Sequence, residues 1–235
     1  MDIELFYTKT GSGPTLLLLH GNGEDGTYFV HQVEEFSRDF TVYAIDTRGH
    51  GKSPRGTAPF TISQFADDLL AFMDRQGLKQ ADILGFSDGG NIALTFALRH
   101  PDRVRRLILN GANLDPKGVK PLVQLSIVVG YHLASLFKSP KARAKAELLG
   151  LMVGEPHIDP AELKKLTMPV LVIAGTNDMI RERHTRLIAA SIPHARLVLV
   201  PGDHFIASKA PAAFNRAVRT FFTETAPAVS KEESP

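Results

Sequence analysis

Six short apolar runs punctuate the 235-residue chain, and most of them stop at a cluster of Gly, Asp, Asn or His. Residues 15–19 are a continuous apolar run, which suits a strand covered on both faces, and 41–45, 81–84, 104–109, 170–175 and 197–200 read as further strands, with charges only at Asp82, Arg105 and Arg106. Residues 3–8 alternate instead, as a half-exposed strand does, and end at Gly11-Ser12-Gly13-Pro14. Helical spacing lies between the runs. It passes through Phe29, Val33 and Phe36 in residues 27–38, and through Phe65, Leu69, Leu70, Phe72 and Met73 in residues 62–76, with Gly77 where a C-cap belongs. Residues 91–98 and 185–191 add two more helices. Buried strands alternating with helices predict an α/β fold, a mostly parallel central sheet with helices on both faces.

The rhythm breaks between residues 113 and 167, where two helical stretches, 122–137 and 141–151, occur without a strand. The pattern predicts a core made of residues 1–112 and 168–225, a helical cap inserted at 113–167, and a polar, frayed tail at 226–235. Residues 122–137 are apolar on nearly every side of the helix, and the narrow stripe of 141–151 cannot cover them all. The surplus is expected to roof an apolar pocket or to form a homodimer interface through the cap.

Composition excludes more than it assigns. A formal net charge of +2 argues against a surface for nucleic acid, and Arg103, Arg105 and Arg106 read as the solvated start of a strand. The absence of cysteine removes disulfides, thiolate metal sites and a cysteine nucleophile. The histidines form no recognisable ligand pair, so neither a metal nor an organic cofactor is expected. The segment Met1-Asp2-Ile3-Glu4 has no apolar leader core, and 16–19 is too short to cross a bilayer. A cytoplasmic protein without membrane attachment is therefore expected.

Loops at the carboxyl ends of parallel strands carry the chemistry of such folds, and His20, Asp46, Ser87, Gly111, Asp178 and His204 fall there. In Gly85-Phe86-Ser87-Asp88-Gly89-Gly90 a strand becomes a helix within a few residues. The corner residue is forced to positive φ, at ~1–3 kcal/mol, and needs small neighbours where the backbones cross. Such a turn presents the Ser87 hydroxyl in front of unpaired N–H groups. A serine needs a base, and the base works best when a carboxylate orients it. Of nine histidines, His204 is placed for this, just past the last strand. His31, His100 and His184 sit on or beside helices. Asp178 follows the preceding strand by a short loop. Asp203 would point away from its neighbour His204, and Asp46 would tether its own loop.

The order Ser87, Asp178, His204, with His20-Gly21-Asn22-Gly23 and the glycine-rich run from Asp46 to Ser53, resembles the capped, cofactor-independent branch of the α/β-hydrolase fold family. The resemblance spans residues 15–222. It implies an oxyanion hole made by the backbone N–H groups of Asn22 and Asp88, and with serine at the elbow it implies acyl transfer to water. The expected function is hydrolysis of a small carboxylic ester, with a short or medium uncharged acyl group, through an acyl-Ser87 intermediate. Amide or peptide hydrolysis and carbon–carbon bond hydrolysis share this scaffold, and Glu24, Asp25 and Asp88 could hold a substrate ammonium. Small-molecule receptors share the fold as well, so turnover is the discriminating observation.

Overall fold

The computed structural model describes residues 2–226; all but the first residue of the expected tail at 226–235 lies outside them. Seven strands form one sheet: β1 (Tyr7–Thr10), β2 (Thr15–Leu19), β3 (Thr41–Ile45), β4 (Ala81–Phe86), β5 (Val104–Asn110), β6 (Val170–Gly175) and β7 (Ala195–Val200). Their order across the sheet is β1-β3-β2-β4-β5-β6-β7, and every pairing is parallel except that of β1 with β3.

Each unbroken apolar run serves two cores by parity, because successive strand side chains point to opposite faces. Leu17, Leu19, Leu107, Leu109, Val170 and Val172 join one core, beneath α2 (Ile62–Arg75), α3 (Asp88–Arg99) and α6 (Glu182–Ser191). Leu16, Leu18, Ile108, Leu171 and Ile173 join the other, with α1 (Val30–Phe36), α7 (Ile206–Lys209) and α8 (Pro211–Glu224). Helix α8 is carried by Phe214, Val218, Phe221 and Phe222, at i, i+4, i+7 and i+8, a helical signal that a strand-centred reading passes over.

Two expectations need correction. The first strand begins at Tyr7, not Ile3. Ile3 and Leu5 are buried, but while Phe6 O still accepts the Asp46 N–H just past β3, the Phe6 N–H donates to Ser53 Oγ, so the strand pairing ends there. Nor is the basic cluster a solvated strand start. Arg105 and Arg106 both clamp the buried Asp82 at 2.6 Å, and Arg106 is itself buried.

Between β5 and β6 the chain forms α4 (Pro121–Ser135) and α5 (Pro140–Gly154), joined by a short loop and packed on each other. Glycines open the crossing: Gly130 lies against Leu149, and Gly150 against Tyr131. The pair is fastened to the body at separate points. Asn22 Nδ2 donates to Leu148 O at 2.8 Å, Arg55 pairs with Glu147, and the Ile62 N–H donates to Glu155 Oε2 at 2.6 Å. Helix α4 buries Ile127 and Ala134, while Leu122, Leu125, Val129, Leu133, Leu136 and the following Phe137 are exposed.

Candidate active site

The turn from β4 to α3 holds Ser87 at φ 53°, ψ −120°, the only non-glycine residue of positive φ among those described. Crowding explains its glycine neighbours. A Cβ on Gly85 would lie 2.2 Å from Gly89 O, and one on Gly89 would lie 2.0 Å from Leu19 O. Helix α3 starts directly behind, so the Asp88 N–H belongs to its unpaired first turn. Neither that amide nor the Asn22 N–H has an acceptor among the described residues.

His204, in the loop after β7, places Nε2 3.0 Å from Ser87 Oγ and Nδ1 2.7 Å from Asp178 Oδ1. Asp178 is fixed in turn by the Ile180 N–H, which donates to the same Oδ1 at 2.8 Å. His204 and Asp178 are both buried. The three residues that lie far apart in sequence thus form one hydrogen-bonded chain. The ring rests on Phe86, centroids 4.8 Å apart, with Phe86 stacked on Tyr28 behind it. Gly111 closes the other side. Its φ is +63°, and a Cβ there would lie 2.7 Å from His204 Cε1 and 2.9 Å from Nδ1.

The remaining carboxylates divide by position. Asp203 accepts the Phe205 N–H and pairs with Lys209, away from the imidazole. Asp46 accepts the Gly26 and Lys52 N–H groups and so ties its own loop down. Asp25 caps the turn at Thr27. His20 accepts the Thr47 N–H on Nε2 at 3.0 Å, while its Nδ1 lies 2.7 Å from Gly21 O. Burial depresses its pKa from 6.5 to about 4, which keeps the ring neutral as that acceptor role requires. Glu24 accepts from the Gly21 N–H, and burial raises its carboxyl from 4.5 to about 7.

Asp88 is more than a helix-start acid. It is buried, which pushes its pKa up, and Asn22 Nδ2 donates to its Oδ2 at 2.8 Å while Asn91 Nδ2 reaches Oδ1 at 3.3 Å. Asn22 therefore joins the His-Gly loop, the elbow and, through Leu148 O, helix α5. Ser87 opens on a cavity walled by Val119, Met152, Met179 and Ile180, with Asp88 and Glu155 as its acids. It has room for about one water. None of its walls comes from α4, so the expected apolar roof is supplied instead by Met152, near the end of α5. Glu155 carries no periodic or spacing signal and was invisible in the sequence; its Oε1 has no partner among the described residues. Larger grooves lie beside Lys52 and beside His184, but neither includes Ser87 or His204. Among the described residues no group of three His, Asp or Glu is arranged to hold a metal.

A family model described as alpha/beta hydrolase fold matches residues 14–131. RutD of Caulobacter sp. (strain K31), whose name proposes carbamate hydrolysis, is 31% identical, over 94% of this chain and 97% of its own. 3-Oxoadipate enol-lactonase 2 of Acinetobacter baylyi is 26% identical, over 92% of each chain. A thermophilic esterase from Thermogutta terrifontis superposes with a TM-score of 0.79 at 26% identity, covering 95% of this chain and 94% of that one. With half of its length matched by the model, and with relatives of its own length named for hydrolysis, the chain belongs to the alpha/beta hydrolase fold family.

Proposed function

We propose that the protein hydrolyses small carboxylic esters through an acyl-Ser87 intermediate. The observation that carries this reading is the continuous bond chain from Ser87 Oγ through His204 to Asp178, set beside two acceptor-free amides. His204 Nε2 takes the hydroxyl proton as Ser87 Oγ attacks the ester carbonyl. Asp178 holds Nδ1–H and stabilises the imidazolium that forms. The oxyanion is received by the N–H groups of Asp88 and Asn22, each worth about 3–4 kcal/mol in the transition state. His204 returns its proton to the leaving alkoxide. A water then repeats the sequence on the acyl-enzyme and frees the acid.

The cavity limits what fits. An acyl group larger than a water must move Met152 or Met179, flexible side chains suited to repacking. The specificity constant should rise with acyl length by roughly 0.8 kcal/mol per methylene and then drop once these side chains can give no more.

A second reading follows from Glu155. Glu155 and Asp88 put two carboxyl side chains and no cation in the lining of the cavity at Ser87, an arrangement that favours an acyl group carrying an ammonium, as in aminoacyl esters or amides. Of the three acids weighed from sequence, only Asp88 lines this cavity. The deciding experiment pairs a fluorophosphonate probe with chromogenic esters of graded length, one of them amine-bearing. Labelling confined to Ser87 and turnover of plain acyl esters support the ester reading. Preference for the amine-bearing ester, lost in Glu155→Gln, supports the second. Labelling that survives in Ser87→Ala removes both by placing the nucleophile elsewhere, and no labelling with no turnover of any ester or amide leaves a receptor on the same fold.

A further inference from the structure

The apolar surplus of α4 lies on the outside. Leu122, Leu125, Val129, Leu133 and Leu136 are 82%, 58%, 48%, 55% and 74% exposed. At about 100° per residue they fall within an arc of about 80°, a continuous stripe along a helix about 22 Å long. Ile127 and Ala134, which pack inward, lie on the opposite side. Phe137, 64% exposed, extends the stripe past the helix end. Monomers rarely leave so much contiguous apolar surface in water without a use for it.

Charge says what covers it. Residues 117–145 hold six cations, Lys117, Lys120, Lys138, Lys141, Arg143 and Lys145, and no Asp or Glu. The whole chain carries +2, so the rest of it carries 2 − 6 = −4. None of the six forms an ion pair among the described residues. An isologous dimer through this face would bring like charge against like charge, because Lys120 at the N-cap of α4 and Lys138 past its end flank the stripe. A surface that is apolar in the middle and negative at the rim fits both features at once, and a bilayer containing anionic lipid has that order, acyl chains beneath phosphate. No helix of the described residues is long and apolar enough to cross a membrane, so α4 would lie flat in the headgroup region, as amphipathic surface helices do.

We propose that the exposed face of α4, with its flanking lysines, docks on an anionic lipid bilayer. This replaces the expectation of no membrane attachment and is independent of what Ser87 hydrolyses. The test is co-sedimentation of the full chain with vesicles of phosphatidylcholine, alone or mixed with phosphatidylglycerol. The protein is expected to partition on the mixed vesicles at least about tenfold more strongly, and less so as salt rises. The pair Leu125→Gln/Leu133→Gln and the pair Lys138→Glu/Lys141→Glu should each lose about tenfold or more in partition. Both should keep the circular dichroism spectrum of the parent. Equal partition on the two vesicle types, or none, would overturn the proposal. So would a concentration-dependent dimer in sedimentation velocity that Leu125→Gln/Leu133→Gln dissolves while vesicles bind nothing.

Discussion

Helices α2 and α4 are of similar length and both carry an apolar stripe, yet they use it in opposite ways. In α2, Phe65, Leu69, Phe72 and Met73 are all but fully buried against the sheet. In α4 one stripe meets α5 and a second stays in water. The body of the molecule thus spends its apolar residues on stability and on holding the site still, whereas the hairpin holds a reserve that folding does not need. Substitutions should therefore sort by region rather than by residue type.

The largest effect is expected at the elbow. Ser87→Ala should lower turnover by a factor on the order of 10⁴–10⁶ with an unchanged melting cooperativity, and a smaller loss would place the chemistry elsewhere. Asp178→Asn should cost on the order of 10⁴, because an amide can present N–H where Nδ1–H needs an acceptor. Asp203→Asn should stay within about tenfold, its carboxylate being engaged with Lys209. Equal losses at the two positions would show that the wrong carboxylate has been assigned. The comparison is sharpest in stability. Phe65→Ala should destabilise by about 3–5 kcal/mol and Leu133→Ala by no more than about 0.5, read from denaturant midpoints. Similar values for the two would mean that the α4 stripe is buried in solution. Gly111→Ala should cost on the order of 10² in turnover, since its methyl would push the imidazole out of line.

The smallest effect concerns pH. The Glu24 carboxyl, raised by burial from 4.5 to about 7, binds a proton more readily folded than unfolded. Its contribution to stability is therefore full below pH 4.5 and is lost as pH rises toward about 7. His20, lowered from 6.5 to about 4, has the opposite sign and loses stability as pH falls below 6.5. Glu24→Gln should gain relative stability between pH 4.5 and 7, measured by urea unfolding across that range. A pH-independent difference between Glu24→Gln and the parent would show that the carboxyl is not perturbed.

The sheet was legible because its parallel strands are short, mainly apolar runs with charges only near the starts of β4, β5 and β7, and Ser87, Asp178 and His204 because each follows such a run closely. Other features left no local trace. Residues 3–6 bury two side chains by alternation but the Phe6 N–H goes to the Ser53 side chain, and alternation cannot tell a ladder from a side-chain acceptor. Arg105 and Arg106 look like surface charges until Asp82, one strand away, is placed between them. Glu155 reaches the cavity only through the path of the hairpin, and the sidedness of α4 depends on which face α5 chooses, neither of which periodicity contains.

The backbone of Ser87 has a consequence for how such a chain can change over time. At φ 53° a glycine would sit at ease where serine is strained, so under the proposed mechanism Ser87→Gly should abolish turnover and stabilise the fold together. If hydrolysis is the proposed task of Ser87, losing that chemistry is thermodynamically downhill for the fold, so strain and activity at this corner trade against each other.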